Sequence, residues 1–217
     1  MKMLTAKMTL LALLFPLALF SQSIGLKVGG NVSTMANNLG PGGGSMFAEK
    51  INWHAGLWGR IPMGSNWGIQ PELQYIRKGA KNVSDDMQSF VNEVHFNFDY
   101  VELPVLAYVE RGPLSFQLGA AVGTAIDHHF YDKTNDEKIA SELLQEIWDP
   151  ALDFSLLGGV ALEWNKFRFA LRYQHGLVAT LKDIRLTDEN GEVTDVQGGA
   201  QHRNLLLSVG YTLWEKK

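Results

Sequence analysis

Cysteine is absent from the 217 residues. That excludes a disulfide framework, a thiolate metal site and a lipid-modified N-terminal cysteine. Charge is sparse too: Asp, Glu, Lys and Arg make up 19% of the chain, with a formal net charge of -4. Such mild acidity argues against a nucleic-acid surface, so no nucleic-acid partner is expected. After the first twenty residues no apolar run approaches the ~20 residues that a membrane-spanning helix needs. What the chain does have is 22 glycines, 11% aromatics and many short alternating runs, the composition of an all-β protein.

Lys2 and Lys7 precede an uncharged run, Met8 to Phe20, and Ser21-Gln22-Ser23 follows it. A basic start, a short apolar run and a small-residue exit describe a cleavable secretory signal. The expected division is a signal peptide over 1–21 and one barrel domain over 22–217.

Leu152 to Tyr173 shows the organising pattern most clearly. Leu152, Phe154, Leu156, Gly158, Val160 and Leu162 share one face, with Leu157 the exception on the other. After a tight turn at Trp164-Asn165-Lys166, Phe167, Phe169, Leu171 and Tyr173 oppose Arg168, Ala170, Arg172 and Gln174. A period of two with charge on one face only is a β-hairpin with one apolar and one polar surface. The same alternation marks runs from Ile24, Trp53, Trp67, Phe96, Leu114 and Leu205, making eight strands. In the fourth, Phe96 and Phe98 and then Val101, Leu103, Val105 and Ala107 form the apolar set, a slip of phase that predicts a β-bulge near Tyr100. Bulges are also the expected relief for Pro71 and Pro104, which lack the donor a mid-sheet position requires. A helical turn is expected around 140–147, and Asn190-Gly191 reads as a small hairpin tip.

Connections between the eight strands alternate long and short. All long loops therefore gather at one end and all tight turns at the other, the plan of an eight-stranded antiparallel up-and-down transmembrane β-barrel. A soluble ligand carrier with the same strands needs dense charge on its outer face. Here the polar face is rich in Gly, Ala and Ser, and the apolar positions named above carry no Asp, Glu, Lys or Arg. Aromatics collect at both strand ends: Trp67, Tyr108, Trp164, Phe167, Tyr211 and Trp214 near the short turns, and Trp53, Tyr75, Phe96 and Tyr173 near the long loops. Two girdles at opposite ends suit two membrane interfaces. The apolar face is therefore expected to meet lipid.

Gly25-Leu26-Lys27-Val28-Gly29-Gly30-Asn31 resembles the first-strand motif of the Bacteroidetes outer-membrane β-barrel family, the PorT-type or porin-family proteins. Ile69-Gln70-Pro71-Glu72-Leu73-Gln74-Tyr75 with Lys78-Gly79-Ala80 resembles its third strand, and Tyr100-Val101-Glu102-Leu103-Pro104 its fourth. The resemblance spans essentially the whole chain after the signal. It implies the barrel fold and the outer membrane of a Gram-negative bacterium, and little about activity. One namesake is associated with type IX secretion, but no motif here carries that role. The final strand resembles an outer-membrane assembly signal, departing from it in Glu215-Lys216-Lys217 after Trp214.

Eight strands enclose an interior just wide enough for side chains. Inward charges number four of each sign: Lys27, Arg60, Arg168 and Arg172 against Glu72, Glu102, Asp153 and Glu163. A paired lumen network of Glu72, Glu102, Arg172, Arg60, Glu163 and Arg168 is expected, because unpaired charges there are costly to desolvate. All six histidines map by sequence to the long-loop rim. There His54, His95, His129 and His202 are the candidates for a metal site, although their spacing matches no known ligand motif. For lipid-modifying chemistry the one nearby pair is His128 with Asp127, and no serine accompanies it. No cofactor and no catalytic residue is expected. The expected partners are outer-membrane lipid and lipopolysaccharide, with an extracellular protein or surface partner engaged through four long loops. The alternative is a narrow porin-like transporter of small solutes, and the third reading a lipid-modifying enzyme.

Overall fold

A computed structural model describes residues 22–36, 47–82, 94–132, 137–139, 152–179, 184–187, 193–196 and 200–216. The expected signal segment and the expected helical turn at 140–147 lie outside these residues. Eight long strands form the body: β1 (Ser23–Ala36), β2 (Lys50–Pro62), β3 (Trp67–Asn82), β4 (Val94–Arg111), β5 (Leu114–Asp132), β6 (Asp153–Trp164), β7 (Phe167–Ala179) and β8 (Gln201–Glu215). Each pairs antiparallel with its chain neighbours, and β1 pairs antiparallel with β8. The sheet thus closes on itself with no free edge, as spanning a bilayer with strands requires.

Short strands extend the rim at the long-loop end. Phe47–Ala48 pairs with the end of β3, and Glu137–Ile139 with the end of β5. Ile184–Thr187 and Val193–Val196 form a separate two-stranded sheet; the expected hairpin tip at Asn190-Gly191 lies outside the described residues. At the opposite end the connections are minimal. Gly112, at φ 60°, leads the Gly-Pro turn between β4 and β5, and Asn165, at φ 54°, turns β6 into β7. Neighbouring turns are stitched together, Glu163 N–H donating to the Pro113 carbonyl (2.8 Å) and Thr212 N–H to that of Lys166 (2.8 Å).

Alternation sorts the side chains. Outward-facing Leu118, Leu207, Val28 and Phe116 are exposed by 71%, 62%, 59% and 52%. Comparable apolar exposure recurs on the other strands, with β3 contributing Trp67 alone, far more than a water-soluble surface carries. On β8 the outward series Leu205, Leu207, Val209, Tyr211, Leu213 rises about 19–22 Å once strand tilt is allowed for, most of the ~25 Å height of a lipid-facing band. Trp53, Tyr75 and Tyr173 stand outward near its long-loop edge, and Trp67, Trp164, Phe167 and Tyr211 near the other.

Three expectations are corrected. On β4 the even-numbered residues face inward without a slip: Phe98, Tyr100, Glu102, Leu106 and Tyr108 are all buried. Phe98 and Tyr108 therefore do not face lipid, and Phe96 packs against an inner cluster instead of a girdle. The register shift opposite Asp99 and Tyr100 leaves Ile126 of β5 as the extra residue, so the bulge belongs to the neighbouring strand. Neither proline sits in a bulge. The β3–β4 register runs unshifted from Pro71↔Val105 to Gln74↔Glu102, and the bridges lapse between them.

The reason for the first error is physical. The lumen is not uniformly polar: Met35, Ile76, Ala80, Phe98, Tyr100, Ala200 and Leu206 form a buried apolar plug at the long-loop end. Leu157, off phase in its strand, packs inward on Leu106 and Ala121.

Candidate functional site: the filled lumen

β3 is the spine of the interior. Its inward residues Gln70, Glu72, Gln74, Ile76, Lys78 and Ala80 are all buried, and polar side chains of β1, β2, β4, β6 and β7 bond to them. Small residues opposite make room. A Cβ on Gly123 would fall 2.7 Å from Glu102 Cγ, and one on Gly159 2.7 Å from Arg172 Cγ.

Nearest the short turns, the Arg60 guanidinium lies 4.4 Å from the centre of the Tyr108 ring. It donates to Glu110, to Glu163 (2.9 Å), to Ser115 (3.3 Å) and to the Gln70 side-chain oxygen (3.1 Å). That same oxygen accepts from Arg168, whose guanidinium packs on Trp58 at 5.3 Å and stands 3.2 Å from Glu163.

Deeper in, Arg172 grips Glu72 with two parallel bonds of 2.8 Å and donates through Nε to Gln117 (2.7 Å). Lys27 donates to Glu72 from the other side, and to Gln74 (2.6 Å). One carboxylate thus has two cations. The next layer reverses the ratio, with Lys78 paired to both Glu102 and Asp153 (2.5 Å to the latter). Gln74 joins the two layers, accepting from Lys27 and donating to Glu102 at 2.7 Å. Gln174 completes Glu102's shell at 3.1 and 3.2 Å and donates to Ser155 (2.7 Å). A surplus positive layer against a surplus negative one leaves these six charges balanced, which is how they can remain ionised away from water. Above them, Lys78 lies 4.8 Å from the Tyr100 ring at the floor of the plug.

Glu72 and Arg172 are thus in direct contact, Arg60, Glu163 and Arg168 form a second group, and Glu102 belongs to a third with Lys78. Lys78 and Glu110 are members that sequence reasoning missed, along with the glutamines that bridge the layers. Lys78 was findable: it continues the even-numbered inward series of Gln70, Glu72 and Gln74.

The histidines do not gather. His54 lies beside Gly29 on β1 and His202 beside Met35, six residues further along that strand. Along the strand axis that is about 20 Å, but both border the same apolar plug, His54 as register partner of its Ile76 and His202 packed on its Tyr100. His54 is also the chain neighbour of Trp53, level with the long-loop edge of the outward band. Both histidines are buried with neither ring nitrogen hydrogen-bonded, and His202 packs edge-on against Phe98 (5.5 Å) and Tyr100 (5.8 Å). His95 lies on the long-loop section of β4, and the side chain of His129 is outside the description. Among the described residues no three His, Cys, Asp or Glu side chains converge as metal ligands. The backbone N–H of His128 donates to the Asp127 carboxylate (2.8 Å).

Comparison with solved structures finds the same kind of barrel. Neisserial surface protein A superposes with a TM-score of 0.51 at 9% identity, over 87% of this chain and 96% of that one. Ail of Yersinia pestis gives 0.46 at 12% identity, over 88% and 98%. OprG of Pseudomonas aeruginosa gives 0.44 at 10% identity, over 89% and 97%. At such identities a likeness concerns the fold alone. No curated protein matches the sequence. Residues 20–182, well over half of the chain, match the family described as outer membrane protein beta-barrel domain. With a closed eight-stranded wall, an apolar exterior and a packed polar interior, the chain belongs to that family and is a small β-barrel protein of the bacterial outer membrane.

Proposed function

We propose that this protein is a closed scaffold that displays its four long loops at the cell surface, and that its work is structural or interactive: envelope integrity, adhesion or docking to a partner. The observation that carries this reading is the lumen. Its charges are paired across the barrel, an apolar plug covers them, and the cavity between Lys27, Trp58, Gln70, Glu72, Arg168 and Arg172 has about 10 Å³, room for a single water. In this reading the Glu72, Glu102, Arg172, Arg60, Glu163 and Arg168 network holds the wall together and conducts nothing. On the same reading the chain is a non-enzyme without a cofactor. The strand motifs at Gly25–Asn31 and Ile69–Tyr75 favour a PorT-type, Bacteroidetes-like member of the family, and 1–21 is read as its export signal.

The test is complementation of a deletion strain. Chains in which 133–151 or 181–199 is replaced by a two-residue turn should insert into the membrane yet fail to restore the envelope or adhesion phenotype. Chains carrying Glu72→Met with Arg172→Met should insert and restore it. The opposite pattern would favour the porin-like transporter.

A further inference from the structure

The outward face changes character along one row. Following each stripe of lipid-facing residues toward the long loops, the first outward polar side chain is Arg77 after Tyr75 on β3, Asp99 before Val101 on β4, His175 after Tyr173 on β7, and Arg203 before Leu205 on β8. This row suits the boundary between hydrocarbon and headgroups, a level at which a cation costs little, and on β7 exposed Leu177 lies just beyond it.

On one wall the row is neutral. Arg77 and Asp99 are register partners, and Arg77 donates to both carboxylate oxygens, at 2.6 and 2.8 Å. On the other wall it is not. Arg203 is the register partner of His175 on β7 and of Thr34 on β1, so no carboxylate faces it from either neighbouring strand. Its side chain is exposed and makes no hydrogen bond or ion pair among the described residues. The His175 ring stands 6.3 Å from that of Tyr173, which lies one step nearer the bilayer centre. Cross-strand neighbours on one face have Cβ atoms ~4.5–5.5 Å apart, so a single group can touch all three side chains.

We propose that Arg203, flanked by His175 and Thr34 and floored by Tyr173, binds a phosphate group of a membrane lipid at the long-loop boundary. A guanidinium is a planar fork that holds a phosphate through two parallel bonds, and the imidazole and the threonine hydroxyl add donors beside it. The occupant is a lipid because the site lies directly above the apolar stripe of Leu205 and Leu207, where acyl chains hang. The phosphate supplies the acceptor that Asp99 supplies to Arg77 on the opposite wall.

The mature chain, folded in neutral detergent, is titrated with diphosphoryl lipid A and with the same lipid after dephosphorylation, and bound lipid is counted by native mass spectrometry. Diphosphoryl lipid A should bind about tenfold more tightly than the dephosphorylated form, and Arg203→Gln should abolish that difference. Thr34→Asp, which gives Arg203 an internal acceptor, should do the same with the arginine in place. Arg77→Gln should leave binding unchanged. Equal binding of the two lipids, an Arg203→Gln protein that still discriminates between them, or equal loss from Arg77→Gln would overturn the assignment. So would displacement by millimolar inorganic phosphate, which would show a free-anion site.

Discussion

Arg172 and Glu72 meet across the lumen through two hydrogen bonds of 2.8 Å, although 100 residues separate them in the chain. One lies on β7 and the other on β3, so the pair fastens opposite walls of the barrel. Replacing Arg172 by Met leaves Glu72 with Lys27 and Gln70 but removes the fork. A loss of about 3–5 kcal/mol is expected, the usual cost of breaking a buried pair by deleting one partner. Denaturant unfolding in lipid vesicles measures it, and a loss below about 1 kcal/mol would show the pair to be incidental.

Lys78 and Lys27 should not be equivalent. Removing Lys27 leaves Glu72 still held by Arg172, whereas removing Lys78 strips the cation from Glu102 and Asp153 together. Lys78→Met is therefore expected to destabilise the barrel more than Lys27→Met, and Asp153→Asn should partly rescue the former only. Paired unfolding curves of the four proteins decide the order.

Two adjacent glycines should respond oppositely. A Cβ on Gly159 would sit 2.3 Å from the Leu171 carbonyl and 2.7 Å from Arg172 Cγ, while on Gly158 its nearest neighbour is 3.8 Å away. Gly159→Ala should cost about 1–3 kcal/mol through overpacking and shift the heat-modifiable gel band. Gly158→Ala, on the lipid side, should leave both stability and mobility unchanged.

Leu207 stands in the outward band one step toward the long loops from its middle residue, Val209, and is 62% exposed. Leu207→Lys is expected to cost ~2–4 kcal/mol of folding stability in vesicles. Ser208, the next residue, faces the lumen. If a lysine at 207 were tolerated in a bilayer as readily as in detergent, the outward face would not be meeting hydrocarbon.

The barrel was legible because period two is a local property: Phe154 to Leu162 and Phe167 to Tyr173 announce their faces without reference to any partner. Loop lengths then fixed the order of the strands. What local pattern cannot report is the content of the inside at each depth. Phe98 is apolar and reads as a lipid-facing residue, yet together with Tyr100 it fills a plug that also contains Met35 and Ile76. Lys78 stands on the inward phase but beyond an isoleucine, and its register partner on β4 is Phe98, so only the folded side chains show that it reaches Glu102, four residues further along. The pairing of Glu72 with Arg172 in preference to Arg168 depends on stagger between strands, which no single strand records.

The sealed lumen is tested most directly by single-channel recording of the purified, folded protein in planar lipid bilayers. No stable stepwise conductance is expected from the wild-type chain across ordinary voltages and salt. A steady, reproducible open level would contradict the closed interior, and with it the reading of this protein as a scaffold.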